Sequence, residues 1–433
     1  MKIKHYNNSF FEISNGSTKI VCDPWLGNMQ DSCTWSYPNI SSDKNILNKI
    51  NPKVLYVSHL HSDHYDEKIL KNFKNKKILI IIKKFPDERL KKKLSSLGYK
   101  NIKEIVPWKS FTFRNFEFTI IPADVSNTSG LKTKIFYDLD SSIIIYDKIK
   151  KICFYNNVDN PLSLRSLKKV KRIAKIKYGG IDIVSVAPRS ASEYPQCFLE
   201  INRMKERKKI IKKCLERAYN VMKTLGSKKL IPAGGSYIIY GKFHSLQNYV
   251  AHPELSEIKK FFKKKKINIY DIDNSNSLTL LSKQKITIER NNKKVSEEKL
   301  KILFKKKYEY EKIKINTNLN KLFLKAQTKY LSIISKIKMK IDYQIKFFIY
   351  DNLKISMSGK IISKIYKKIN LAPSVKKTRN TLELHIDKRL LYMCLMNKIN
   401  WNMAMGGSSI LFKRKPNKFI PDISSSLNFL RAK

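Results

Sequence analysis

Two hydrophobic periods alternate along the first two-thirds of the chain. Runs of β-branched and aromatic residues at 10–13, 19–22, 54–58, 77–82, 116–121, 142–146 and 151–155, many closed by Asn, Asp, Gly or Pro, predict strands ending in turns. Between and after them, residues 68–75, 87–97, 162–174 and 203–225 space apolar side chains three and four apart, which predicts helices with one buried face. Strands and helices taking turns in this way predict an α/β layout.

Near residues 283–298 the pattern gives way to a polar stretch containing Arg290-Asn291-Asn292-Lys293-Lys294, which sets an expected division into 1–288 and 289–433. Beyond it, Leu319, Leu322, Phe323, Ala326, Tyr330, Ile333, Ile334, Ile337 and Ile341 keep helical spacing, so one long amphipathic helix with Lys on its far face is predicted. Residues 343–350 and 381–386 alternate like strands, and 410–413 reads as another. The second part is therefore expected to be an α+β region. Residues 401–409 read as a buried strand and turn; their rival role is the wall of a substrate pocket, with Arg414 as an anion contact.

A chain of 433 residues with 42% hydrophobic residues can bury a substantial core, which argues for a folded protein despite a net charge of +53. That charge is mostly Lys spread along the chain, and it reads as solvated surface. Nucleic-acid sites tend to recruit Arg forks as well, so no specific nucleic-acid partner is expected. The basic amphipathic helix is likewise expected to pack on its own domain rather than on a membrane surface. Six cysteines are scattered without a C-x-x-C, as reduced thiols would be, and residues 1–8 form no apolar run. A cytoplasmic setting is expected.

One short segment changes the picture from fold to chemistry. The apolar strand at 54–58 feeds into His59-Leu60-His61-Ser62-Asp63-His64, so three of only seven histidines crowd one turn. A turn at a strand end can fan such side chains toward one point, and imidazole with carboxylate suits borderline divalent ions. His59 and His61 can reach one metal while Asp63 and His64 reach a second. Two ions side by side can activate water at neutral pH.

His-x-His-x-Asp-His after a strand resembles the signature of the metallo-β-lactamase fold, an αββα sandwich with metals at the edge of its two sheets. Residues 7–13 and 20–26, with Asp23-Pro24-Trp25, look like the opening strands of the branch containing L-ascorbate-6-phosphate lactonase. Residues 190–198 and Ile231-Pro232-Ala233-Gly234-Gly235 resemble segments of the hydroxylase that acts on CMP-N-acetylneuraminate. The resemblance spans roughly residues 1–285 and implies a further ligand His about eighty residues after the motif. No His lies between His64 and His244, so Asp140, with Asp138 as rival, takes that place. Asp159 matches the metal-bridging carboxylate, and His244, with His252 as rival, matches the late ligand. Asp23 is expected to orient a ligand His from behind.

The expected ligand set is thus His59, His61, Asp63, His64, Asp140, Asp159 and His244, holding two divalent ions, zinc first with iron or manganese as alternatives, and Asp63 is also the expected catalytic residue. The expected activity is metal-dependent hydrolysis of a small molecule, with sugar-derived or phosphorylated compounds as the class that the resemblance allows. Its rivals are a di-iron oxygenase fed by a separate electron donor, an RNA-cleaving nuclease, and a non-catalytic binding protein. Against a self-sufficient oxygenase stands the absence of any Cys two residues before a His, the pattern an iron–sulfur domain would carry.

Overall fold

The computed structural model describes residues 1–26, 35–36, 43–124, 140–235, 237–272, 277–280, 282–283, 285–290, 297–339, 341–371, 379–419 and 421–433. Asp138 and residues 291–296, with most of the expected dividing stretch, lie outside the described residues. The strands, in chain order, are β1 (Lys2–Asn7), β2 (Phe10–Asn15), β3 (Thr18–Cys22), β4 (Trp35–Ser36), β5 (Val54–Tyr56), β6 (Leu79–Lys83) and β7 (Ile102–Ile105). There follow β8 (Ser110–Phe113), β9 (Phe116–Pro122), β10 (Ser141–Asp147), β11 (Ile152–Asn156), β12 (Ile183–Val186), β13 (Lys229–Pro232) and β14 (Ile238–Ile239). The last are β15 (Asn268–Ile269), β16 (Ser277–Leu280), β17 (Ile286–Glu289), β18 (Gln344–Tyr350), β19 (Ile365–Leu371), β20 (Thr381–Asp387) and β21 (Leu411–Lys415).

Two sheets stack face to face, ordered β17-β16-β1-β2-β3-β5-β6-β7 and β15-β13-β12-β11-β10-β9-β8. Alternation along each strand sends one set of side chains between the sheets and the other under helices. Ile20, Val54, Tyr56 and Ile81 of the first sheet meet Phe118, Ile120, Ile143 and Phe154 of the second. On the outer face of the first sheet, Val21, Leu55 and Ile80 pack with Leu47, Ile69, Leu70, Leu90 and Leu94. Tyr155, Val184 and Leu230 on the far side of the second pack with Val170, Ala174, Leu215, Met222 and Phe262. The layers run helix, sheet, sheet, helix, the expected αββα sandwich. β6, Leu-Ile-Ile-Ile-Lys, is buried at all five positions, as a parallel strand covered on both faces must be.

Strand direction decides where the chemistry sits. β3, β5 and β6 are mutually parallel, as are β11, β12, β13 and β15. Their carboxyl ends are the place where an α/β sheet leaves an open edge for ligands. β10 runs antiparallel to β11, so its first residue, Ser141, and the preceding Asp140 lie at that same edge.

The remaining chain adds a sheet ordered β19-β18-β20-β21 and the helix Leu319–Lys336, which buries Phe323, Ala326, Tyr330 and Ile334. The apolar spacing runs on to Ile341, yet the helix stops at Lys336: Lys338 turns left-handed (φ 52°) and Met339 N–H closes back on the Ile334 carbonyl at 3.1 Å. Ile341 is buried all the same, at the lead into β18. Residues 401–406 differ from the strand expected there. Asn400 caps a short helix through Asn402 N–H, and Trp401 is anchored by its indole N–H to the Leu430 carbonyl at 2.9 Å. The core of this region takes in Cys197, Phe198, Tyr240, Phe243 and Leu246 from the earlier chain. Among the described residues no helix is long and apolar enough to cross a membrane.

Candidate metal centre

β5 ends at Tyr56, and the chain then crosses the open edge as residues 57–64, placing the side chains of His59 and His64 in full burial beneath the more exposed His61 and Asp63. His59 Nε2 stands 2.9 Å from His61 Nδ1 and 3.6 Å from Asp140 Oδ1. His64 Nε2 stands 3.4 Å from Asp63 Oδ2 and 3.2 Å from Asp159 Oδ2. His59, His61 and Asp140 form one group able to hold a metal ion, and His59, His64 and Asp159 form a second.

Behind these ligand atoms the site is braced. Asp23, fully buried at the end of β3, accepts from Ser58 N–H at 2.8 Å, from Ser58 Oγ at 2.7 Å and from His64 Nδ1 at 2.9 Å. Ser58 Oγ lies 2.9 Å from His59 Nδ1. With both Nδ1 atoms engaged, both Nε2 atoms face the ligand positions, the arrangement a metal-binding His requires. Ser141 Oγ donates to the Ser58 carbonyl and pairs with Tyr56 OH, each at 2.8 Å, pinning the two sheets together below the site. Lys83 Nζ donates to the Asp140 carbonyl at 3.0 Å and holds that residue at the edge.

Asn8 is a site residue that the sequence reading did not single out. Its Nδ2 donates to Asp63 Oδ2 at 3.0 Å, and its Oδ1 accepts from Gly235 N–H at 3.0 Å. Gly234, at φ 91°, brings this turn so close that a Cβ there would lie 3.7 Å from Asn8 Oδ1 and 3.8 Å from Asp159 Oδ1. The Asn-Asn turn between β1 and β2 and the Gly-Gly pair after β13 were the available signals.

The electrostatics suit cations. Burial pushes the Asp140 carboxyl up to about 6 and the nearby Asp159 charge adds to this, with His61 opposing. Burial also raises Asp63, but His64 and His61 outweigh it and bring the carboxyl to about 2. Burial, reinforced by His64 and His61, holds His59 well below the usual imidazole range. His64 would be lowered by burial, yet Asp63, Asp159 and Asp23 together drive it well above. A buried Asp140 Oδ1 with no hydrogen-bond partner and a neutral His59 beside it are what a divalent ion would satisfy.

His59, His61, Asp63, His64, Asp140 and Asp159 are therefore brought to one edge, and His244 is not. It sits in the 3-10 turn Gly241–Tyr249, with Nδ1 at 3.0 Å from the Gly241 carbonyl and its ring stacked on Phe304. Its rival His252 packs edge-on against Tyr237, and burial holds it down to about 3.

Above the metal edge opens a cavity of about 660 Å³. It is lined by His61, Asp63 and Asp159, by Glu193, Tyr194 and Phe198, and by Met403, Met405, Arg414 and Asn417. Ser62 Oγ approaches Met403 Sδ at 3.9 Å, so the helix 401–406 rests against the metal loop itself.

Stacked sheets flanked by helices, with a His-x-His-x-Asp-His turn at their common edge, define a metallo-β-lactamase fold. Residues 2–173 match the model of the β-lactamase superfamily domain. A protein of Mycolicibacterium smegmatis named for a Rieske 2Fe-2S iron–sulfur centre is 24% identical over 238 residues, 54% of this chain and 43% of that one. One of Mycobacterium tuberculosis with the same kind of name is 31% identical over 100 residues, 23% of this chain and 19% of that one. The chain thus spans less than half the length of these curated relatives. Among solved structures, the diiron β-hydroxylase CmlA of Streptomyces venezuelae is 13% identical with a TM-score of 0.43, covering 64% of this chain and 54% of that one. An isothiocyanate hydrolase from Delia radicum gut bacteria is also 13% identical with a TM-score of 0.43, covering 65% and 99%. Neither structural likeness decides the chemistry.

Proposed function

We propose that the chain is a metal-dependent hydrolase of small anionic molecules, with sugar-derived or phosphorylated compounds as the substrate class. The observation that supports it is two ligand groups that share His59, with Asp63 Oδ2 3.4 Å from His64 Nε2, and a cavity lined by His61, Asp63 and Asp159. His59, His61 and Asp140 would hold one ion; Asp63, His64 and Asp159 would hold the other. When bound, such ions supply Lewis acidity and make water a competent nucleophile near neutral pH. The protein's part is orientation. Asp23 and Ser58 fix both imidazoles, and Asn8 keeps one Asp63 oxygen engaged so that the carboxylate faces the cavity in a defined direction. Asp63 is the proposed catalytic residue as well as a ligand: charged and held by Asn8, it would accept a hydrogen bond from the attacking water and orient it. Zinc is the first choice of ion, and a mixed imidazole and carboxylate set also suits iron or manganese.

A second reading, oxygen chemistry at a di-iron centre, is favoured by the relatives named for Rieske centres. The 433 residues hold no Cys-x-His, so electrons would have to come from outside these residues. Metal content of the purified chain, followed by turnover of lactones, esters and phosphodiesters with and without oxygen, separates the two. Oxygen-independent, chelator-sensitive turnover supports hydrolysis. Turnover that needs oxygen and an added reductant overturns it.

A further inference from the structure

We infer that Arg414 is the anion-binding pole of the substrate cavity: it grips a carboxylate or phosphate of the substrate while the bond to be cleaved lies over His61, Asp63 and Asp159. This rests on the hydrolase reading and adds the chemistry by which that site selects its substrate. The cavity is of a size that encloses a small metabolite, and its lining holds both the exposed metal-group residues and Arg414. Met403, Met405 and Phe419 in the same lining offer apolar surface to the body of the ligand.

Arg414 is presented by β21, which is fastened to the sandwich through Phe412 N–H to the Cys197 carbonyl at 2.8 Å and Leu199 N–H to the Phe412 carbonyl at 2.7 Å. Its guanidinium lies over the Phe198 ring at 4.7 Å and the Tyr194 ring at 6.0 Å. Nη2 donates to Asn417 Oδ1 at 3.0 Å, Asn417 Nδ2 donates to Tyr194 OH at 3.0 Å, and Tyr194 OH donates to Glu206 at 2.8 Å. The fork is therefore held in place by neutral groups and rings. Nε is buried without an acceptor, and among the described residues no carboxylate stands within 4.0 Å of the guanidinium. Glu193 lines the same cavity and acts on Arg414 through space without a direct ion pair; burial raises its carboxyl while Arg414 opposes that shift. A half-buried, pre-aligned guanidinium with no direct ion pair among the described residues is stabilised when a planar anion arrives.

The test uses the full chain loaded with zinc and three probes, 4-nitrobenzoate, 4-nitrophenyl phosphate and the neutral 4-nitrobenzamide, with binding followed by ligand-observed NMR. Arg414→Gln is expected to weaken one or both anions about tenfold or more while changing the amide by less than about twofold. Arg414→Lys should fall between, and the anion that loses more identifies the preferred group. Anion binding that ignores Arg414→Gln in a folded variant, or that wild type lacks, overturns the assignment. Failure of the hydrolase reading would show separately, as absence of metal-dependent turnover.

Discussion

Asp23→Asn is expected to loosen metal binding at both groups without unfolding the protein. Asp23 Oδ2 accepts two hydrogen bonds, from Ser58 Oγ and from His64 Nδ1. Because the Ser58 hydroxyl donates to Asp23, its oxygen is left to accept from His59 Nδ1–H at 2.9 Å. One carboxylate thus sets the tautomer of an imidazole in each ligand group, the first directly and the second through Ser58. Asparagine can keep Ser58 N–H on its oxygen, but its amide then meets Ser58 Oγ and His64 Nδ1 with donors. His64 must shift its proton to Nε2, the atom that should bind the ion. Loss of such a supporting contact costs about 10- to 100-fold in metal affinity, or roughly 1.4–2.7 kcal/mol. The backbone tolerates the change: Asp23 has φ 43°, a region Asn enters readily, and the neutral amide avoids burying a charge. The assay is a zinc titration of metal-free protein against a competing chelator, with the thermal midpoint as control. A folded variant that binds two ions with wild-type affinity would refute the reasoning.

His61→Ala and Asp63→Ala should each abolish turnover while shifting stability little, because both lie on the turn rather than in a core; metal content by elemental analysis and urea unfolding check this together. Gly359→Ala should destabilise by about 2–4 kcal/mol. The new Cβ would stand 2.3 Å from Arg203 Nη1 and 3.0 Å from Leu246 Cδ2 at φ 72°, and Arg203 is tied by Nε to the Phe198 carbonyl at 2.9 Å. Gly16→Ala, with φ 56° and open space around it, is the control and should show only the backbone part of that loss, in urea midpoints. His385 is held down to about 4 by burial and by Lys413, with Glu200 opposing. Its unfolded form takes up a proton near 6.5, so its contribution is full above that pH and is lost as pH falls toward 4, by up to about 3 kcal/mol. His385→Gln should flatten that slope, and an unchanged acid limb would count against it. A chain ending at 288 should aggregate, because it bares Phe198, Tyr240 and Phe243, whose core is completed by later residues; a monomeric, cooperatively unfolding fragment would show otherwise.

Local pattern determined a good deal by itself. The strand at β5, the His-x-His-x-Asp-His turn after it and the helix Arg203–Leu225 are written in spacing and capping, which involve only neighbours in sequence. That three histidines follow an apolar strand needs no fold to be noticed. What local pattern could not carry is direction and register. Asp140 and Asp159 reach the site because β10 enters at the edge where β11 leaves, a consequence of antiparallel pairing. Spacing along the chain could nominate them but could not place them. His244 had an equally plausible local context, a glycine turn after an apolar run. Its ring nevertheless stacks on Phe304 from the helix Glu297–Lys305, a contact across sixty residues that no turn signal contains. Asn8 and Gly235 meet across 227 residues, and the helix 401–406 touches the metal loop across 341. The ligand types were thus decided by residues close in sequence. The shape of the cavity, the placement of Arg414 and the bracing of each imidazole were decided by packing, because those contacts exist only once distant strands share an edge.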